Sequence, residues 1–152
     1  MNERLRPAVT ADLPAVLDLL QEAALPTSDL SPASLAGFLV APCGEDGSLL
    51  GAGALEIHGR HGLLRSVVVT PDRRGAGIGG ALTRSLLAEA AVRDLASVWL
   101  LTTTAADYFP AFGFRKRVRT EAPPAIAGSP EFANLCPANA VCLALEFSDA
   151  RG

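Results

Sequence analysis

The residues best suited to chemistry lie together at 73–80: Arg73-Arg74-Gly75-Ala76-Gly77-Ile78-Gly79-Gly80. The β-branched run Val67-Val68-Val69-Thr70 and a Pro71-Asp72 turn precede them, and an apolar-periodic stretch without an early acid follows. Strand, glycine-rich loop and helix N-terminus in that order present backbone N–H groups unobstructed by side chains. The helix dipole and two arginines favour negative charge there, so the chemistry on offer is the binding of a phosphate group. Spacing separates the possible phosphate loops. A Walker A loop needs Lys and then Ser or Thr after its last glycine, whereas Gly79 is followed by Gly80 and Ala81. Gly75, Gly77 and Gly80 do satisfy G-x-G-x-x-G, the dinucleotide fingerprint. That fingerprint follows its strand directly and has an acid about 20 residues further on. Here residues 70–74 intervene, and the stretch 98–104 holds no acid.

What remains is Arg74-x-x-Gly77-x-Gly79 behind a valine-rich strand and a Pro-Asp turn. It resembles the acetyl-CoA pyrophosphate loop of the GNAT superfamily of N-acetyltransferases. The resemblance implies that Arg73, Arg74, Gly75, Ala76, Gly77, Ile78, Gly79 and Gly80 hold acetyl-CoA. It implies that the fourth and fifth strands splay, with backbone groups of Val67 and Val69 pairing with the pantetheine arm. The N–H of Val68 would polarise the thioester carbonyl, a kind of donor whose loss costs ~3 kcal/mol in other enzymes. A neutral amine then attacks the thioester directly, and the departing thiolate is protonated.

Many members of the superfamily place a Glu on the fourth strand as base or water relay; here that position is Arg65. An arginine is no base near neutral pH, but it can hold a carboxylate in two hydrogen bonds. Arg65, with Ser66 beside it, therefore points to an acidic or amino-acid-like acceptor; an exposed strand-edge arginine is the plainer alternative. An α-amine has a reference pKa near ~8 and needs less help from a base than a lysine does. The superfamily's usual acid, a Tyr, aligns with Phe109, and the tyrosine is one residue earlier, at Tyr108. One residue turns a side chain about 100° around a helix. Tyr108 is thus a candidate acid, a ring stacked on the pantetheine, or a packing residue.

Three further segments resemble the N-acetyltransferases of bacterial arsenic-resistance operons. They are Leu25-Pro26-Thr27-Ser28-Asp29-Leu30, Leu101-Thr102-Thr103-Thr104-Ala105 and Glu131-Phe132-x-x-Leu135-Cys136-Pro137-Ala138. This likeness implies acetylation of a small amino acid analogue, arsinothricin or phosphinothricin. The last segment also resembles short acetylglutamate-synthase-like proteins, which act on glutamate. Among these residues Ser28, Asp29, Thr102 and Thr103 are the candidate acceptor contacts. Asp29 suits an ammonium, although Ser28-Asp29 is equally helix-capping chemistry. Asn134 and Cys136 lie in a loop able to fold over the acceptor, and direct transfer needs no cysteine nucleophile.

These groups need an α/β scaffold: the patterning gives strands and helices without a second domain, and the resemblance implies a single GNAT domain over 1–152 with a mixed sheet splayed between strands 4 and 5 and flanking helices. Strands are expected at 4–8, 48–58, 63–70, 97–104, 114–119 and 139–147, with a further one beginning at 42–44. Helices are expected from an N-cap at Thr10 to about Ala24, over 32–39, 79–93 and 107–112. Residues 120–138, with four of the eleven prolines, read as a long loop. A formal charge of −3 gives no footprint for nucleic acid. Neither a membrane span nor a signal core is evident, so a cytoplasmic protein is expected. Three cysteines without C-x-x-C and only two histidines, His58 and His61, indicate neither disulfides nor a metal. A homodimer is possible through the last strand and the long loop. The rival readings are a peptide N-terminal acetyltransferase, which the long loop would obstruct, and a non-catalytic module sensing acetyl-CoA or an amino acid.

Overall fold

The computed structural model describes residues 4–43, 46–135 and 139–147, the side chains of 134 and 135 excepted. Among the described residues the strands are β1 (Arg6–Pro7), β2 (Phe38–Pro42), β3 (Leu49–His58), β4 (His61–Val69), β5 (Ser97–Thr102), β6 (Arg115–Lys116) and β7 (Val141–Glu146). The α-helices are α1 (Leu13–Glu22), α2 (Ile78–Val92) and the single turn α3 (Pro124–Ala127). The strands form one sheet in the order β1-β2-β3-β4-β5-β7-β6. The pair β4–β5 is parallel, and the sheet is otherwise antiparallel. By contacts the chain divides into two compact units, Met1–Leu55 with Ser66–Leu86, and Glu56–Arg65 with Leu87–Gly152.

In the first unit, Val16, Leu19 and Leu20 put one face of α1 into a core with Phe38, Val40, Ala52, Ala54 and Val68. The helix entry is set by Asp12 rather than by the Thr10 cap expected from sequence. The Asp12 carboxylate accepts from the Val9 N–H at 2.8 Å and from both ends of the Arg6 fork at 2.8 and 3.0 Å. Those Arg6 bonds hold the Asp12 carboxyl below its ordinary range. The helix expected over 32–39 is a 3-10 segment, Pro32–Gly37, and Phe38–Pro42 is strand. Its alternation pairs with β3, and the register shifts at Pro42, which has no N–H to give. Two β3 glycines permit close packing. A Cβ on Gly51 would stand 2.8 Å from the Val68 carbonyl oxygen, and one on Gly53 3.1 Å from Leu86.

In the second unit, β4 meets β5 at His61↔Ser97, Gly62↔Val98 and Leu63↔Trp99, and β5 pairs with β7 along its full length. As far as Leu135, the expected loop at 120–138 is instead largely helical: a 3-10 turn at Arg119–Glu121, α3, and a π turn at Glu131–Leu135. Ile126 and Phe132 anchor it in a core with Leu63, Trp99, Leu101 and Cys142. Pro124 stands at the first position of α3. Other boundaries also move. β5 stops at Thr102, since the Thr102 hydroxyl accepts the Ala105 N–H at 2.9 Å and turns the chain. β6 is two residues rather than six, and 107–112 is a 3-10 turn over Phe109–Phe112. Residue 44 of the strand expected to begin at 42–44 lies outside the described residues, as do Cys136, Pro137 and Ala138 and the side chains of Asn134 and Leu135.

Candidate functional site

The phosphate-type loop belongs to the first unit. β4 ends in a distortion: Ser66, buried, has a φ of 61°. A non-glycine residue in the left-handed region costs ~1–3 kcal/mol and recurs at functional sites. Beyond it Val67 and Val69 are half-buried and Val68 is buried. The Thr70 N–H still reaches the Leu50 carbonyl at 2.8 Å, so the strand is fixed to its end. A 3-10 turn, Pro71–Arg73, then lifts the chain into an exposed loop. Gly75 and Gly77 both have φ +88°, a conformation open to glycine at no steric cost. Ile78 is buried with Ala41, Leu50 and Leu82 and pins the loop to the core.

The first intrahelical bond of α2 runs from the Ala81 N–H to the Gly77 carbonyl at 3.0 Å. The N–H groups of Ile78, Gly79 and Gly80 consequently have no carbonyl within the helix and stand at its positive end. The sequence reading missed a third cation here. A Cβ on Gly80 would be 3.1 Å from Arg84 Nη1, which places the Arg84 guanidinium over the helix's first turn. Its signal was the i, i+4 spacing from Gly80. Arg74 leans back, Nε to the Val69 carbonyl at 3.4 Å. The Thr70 hydroxyl oxygen, buried beside the loop, has no hydrogen-bond partner among the described residues. Exposed N–H groups, cations and an orphaned hydroxyl fit a phosphorylated ligand. Ser28 and Asp29 are also in this unit, exposed and half-buried respectively.

The second unit holds the other candidates. Arg65 is not an exposed edge residue: its side chain has 0% exposure, and Nη1 donates to Glu56 Oε2 at 3.1 Å. Glu56 in turn takes His58 Nε2 on its other oxygen at 3.1 Å. Sequence reading passed over Glu56, although Glu-x-His on a strand puts both side chains on one face. Thr102 uses its hydroxyl in the turn after β5, and Thr103 is exposed. Tyr108 is 42% exposed and packs edge-on against Phe109, 5.1 Å between centroids, and tilted against Phe112 at 5.3 Å. Phe109 is buried against Phe114. Of the two aromatic rings, Tyr108 is thus the one presented outward. Among the described residues no three His, Cys, Asp or Glu side chains form a metal-type group.

Comparison with known proteins decides the family. The model of the acetyltransferase (GNAT) domain matches residues 35–116, more than half of the chain. The chain belongs to the GNAT acetyltransferase family. Rv2747 from Mycobacterium tuberculosis, solved in complex with CoA and a second ligand, is 25% identical with a TM-score of 0.81, over 95% of this chain and 99% of that one. N-acetylglutamate synthase from Neisseria gonorrhoeae, complexed with CoA and N-acetyl-glutamate, is 19% identical with a TM-score of 0.81. That match takes in 97% of this chain but 36% of the synthase, so the chain spans about a third of its length. The ribosomal-protein-S18-alanine N-acetyltransferase of Escherichia coli is 22% identical, TM-score 0.72, over 98% and 96% of the two chains. No curated protein gives a significant match. As a GNAT enzyme the chain is an acetyl-CoA-dependent N-acetyltransferase, and acetyl-CoA is its cosubstrate. Its donor set, N–H groups and arginines around glycines, suits the phosphates of that cosubstrate.

Proposed function

We propose that this GNAT enzyme, residues 1–152 acting as one domain, acetylates the α-amine of a small acidic amino acid or analogue. Glutamate, arsinothricin and phosphinothricin are the acceptors of that description, and the last two connect the enzyme to arsenical or antibiotic resistance. The observation that carries the reading is Arg65, a guanidinium on β4 that is sealed from solvent and paired with Glu56. Away from water a guanidinium attracts an acid group far more strongly than a solvated one does. The likeness to a synthase crystallised with N-acetyl-glutamate supports the same acceptor class.

In this reading Arg73 to Gly80 cradle the phosphates, and the backbone of Val67 and Val69 aligns the pantetheine arm. The Val68 N–H steadies the charge that develops on the thioester oxygen. Arg65 and Ser66 receive the acceptor's acid group, and Ser28, Asp29, Thr102 and Thr103 contribute polar contacts. The neutral amine forms the new C–N bond as the C–S bond breaks, and Tyr108 supplies a proton to the leaving sulfur. A cytoplasmic location, where acetyl-CoA is made, belongs to the proposal. A thiol-release assay with acetyl-CoA and a panel of glutamate, arsinothricin, phosphinothricin, glutamine and a short peptide tests it. Release with the acidic amino acids is expected; release with the peptide alone would reject the acceptor class while leaving the family untouched.

A further inference from the structure

We infer that the cleft beside β6 is a second ligand site, which takes a small divalent anion, a phosphate or a dicarboxylate. It lies wholly in the second unit and does not depend on the acceptor proposed above. The cleft holds about 400 Å³, and three consecutive cations, Arg115, Lys116 and Arg117, line it together with Gly113 and Glu146. Its size is that of a small-molecule site. The strand register sets it apart from the proposed acceptor contact Thr102. Glu146 pairs with Ser97, the first residue of β5, whereas Thr102, the last, pairs with Val141.

One of the three cations is already matched. The Arg117 guanidinium lies 5.1 Å above the Trp99 ring centre, its Nε donates to Glu121 Oε1 at 3.3 Å, and its Nη1 is 3.4 Å from Glu146 Oε1. Arg115 and Lys116 are both exposed, and neither side chain has a hydrogen bond or ion pair among the described residues. As sequence neighbours they stand well within a Debye length of each other, so their fields add. A backbone donor joins them. The Arg117 N–H bonds the Cys142 carbonyl at 2.9 Å, and alternate residues of an antiparallel strand bond to opposite sides. Lys116, opposite Leu143, therefore turns its N–H away from β7 to the outer edge. Gly113 has a φ of +102°, and a Cβ there would stand 3.1 Å from Leu145, so this residue lines the cleft without a side chain.

Two unmatched positive charges call for two negative ones. The chain as a whole carries a formal charge of −3, so an anion is drawn here by the local field and not by net charge. Charges on an edge strand also ward off pairing with another chain, but that guard requires no cleft.

The test is calorimetry on the full chain at constant ionic strength, with CoA saturating so that the proposed phosphate loop is already filled. Inorganic phosphate and succinate are the probes, which separate a phosphate-bearing ligand from a dicarboxylate, and chloride is the monovalent control. At least one probe should bind saturably. Arg115→Ala and Lys116→Ala should each weaken it by about 2–5-fold, the effect of losing an exposed ion pair, and the double variant by more than either. Arg93→Ala, which removes an exposed cation outside the cleft, should leave it unchanged. Fluorescence of Trp99, the chain's one tryptophan, gives the position. Arg117 both lines the cleft and covers that ring, so the emission should change with the same midpoint as the heat. Binding by neither probe, or binding that the double variant leaves intact, would overturn the inference. So would binding with no change in Trp99 emission. Tighter binding of a glutamate-rich peptide than of either probe would overturn it in favour of a protein partner along the β6 edge.

Discussion

Gly47, Gly75 and Gly77 share one backbone conformation, φ +88°, and at each a Cβ would meet nothing within 4 Å. Substitution by alanine therefore imposes the same conformational cost at all three sites with no steric clash. Left-handed geometry costs an L-residue ~1–2 kcal/mol. Gly47 sits in the turn before β3, whereas Gly75 and Gly77 shape the loop proposed to cradle the phosphates. In an exposed loop the substituted residue relaxes when the ligand is absent, and the cost returns when the ligand demands the original shape. Gly75→Ala and Gly77→Ala should then raise the CoA dissociation constant by ~5–30-fold, the ratio for ~1–2 kcal/mol. Gly47→Ala should leave it unchanged. Thermal melts give a second readout. A tenfold weaker site loses ~1.4 kcal/mol of ligand stabilisation at saturating CoA, or ~3–6 °C of the CoA-induced shift for a chain of this length. Calorimetry and melts with and without CoA measure both. Equal weakening by Gly47→Ala, or none by Gly75→Ala and Gly77→Ala, would refute the assignment of this loop as the cofactor cradle.

Three other outcomes are expected. Arg84→Ala should raise the KM for acetyl-CoA by ~2–5-fold without altering the acceptor KM, since an exposed charge contributes under ~1 kcal/mol, and the effect should fade in high salt. Asp12→Asn should lower Tm by ~2–8 °C through the lost cap and paired charge; because the folded Asp12 carboxyl lies below its ordinary value, its stabilisation is present above ~pH 4 and lost as pH falls through the folded value. The Tm gap between wild type and Asp12→Asn, followed from pH 7 downward, should therefore narrow, and a widening gap would reverse the sign. Burial pushes the Cys142 thiol up to about 11, so alkylation at neutral pH, mapped by peptide mass spectrometry, should modify half-buried Cys43 well before Cys142.

The elements around the loop were legible because their signals are local. β-branched residues at 67–70 and glycines at 75 and 77 dictate backbone shape with little help from the rest of the chain. α2 and the end of β4 accordingly fall within a residue of the positions read from sequence. β2 was misread because Phe38–Pro42 is too short to show its period and becomes a strand only through pairing with β3. The segment beyond Arg119 was misread because Ile126 and Phe132 acquire meaning only against Trp99 and Leu101, distant in sequence. The same holds for charge. Arg65 could be singled out by type and position, but its sealing from solvent and its tie to Glu56 are tertiary facts. Asp12 likewise outcompeted Thr10 as the cap because Arg6, on a neighbouring strand, reaches it.

The acceptor class is most directly tested by competition in one vessel. Enzyme and limiting acetyl-CoA are offered equal amounts of glutamate, glutamine and an alanine-initiated peptide, and the acetylated products are resolved by mass spectrometry. A buried Arg65 that receives the acceptor's acid group predicts that N-acetylglutamate dominates by about tenfold or more, the worth of one charged, oriented contact. Equal acetylation of glutamine, or a dominant acetyl-peptide, would contradict it.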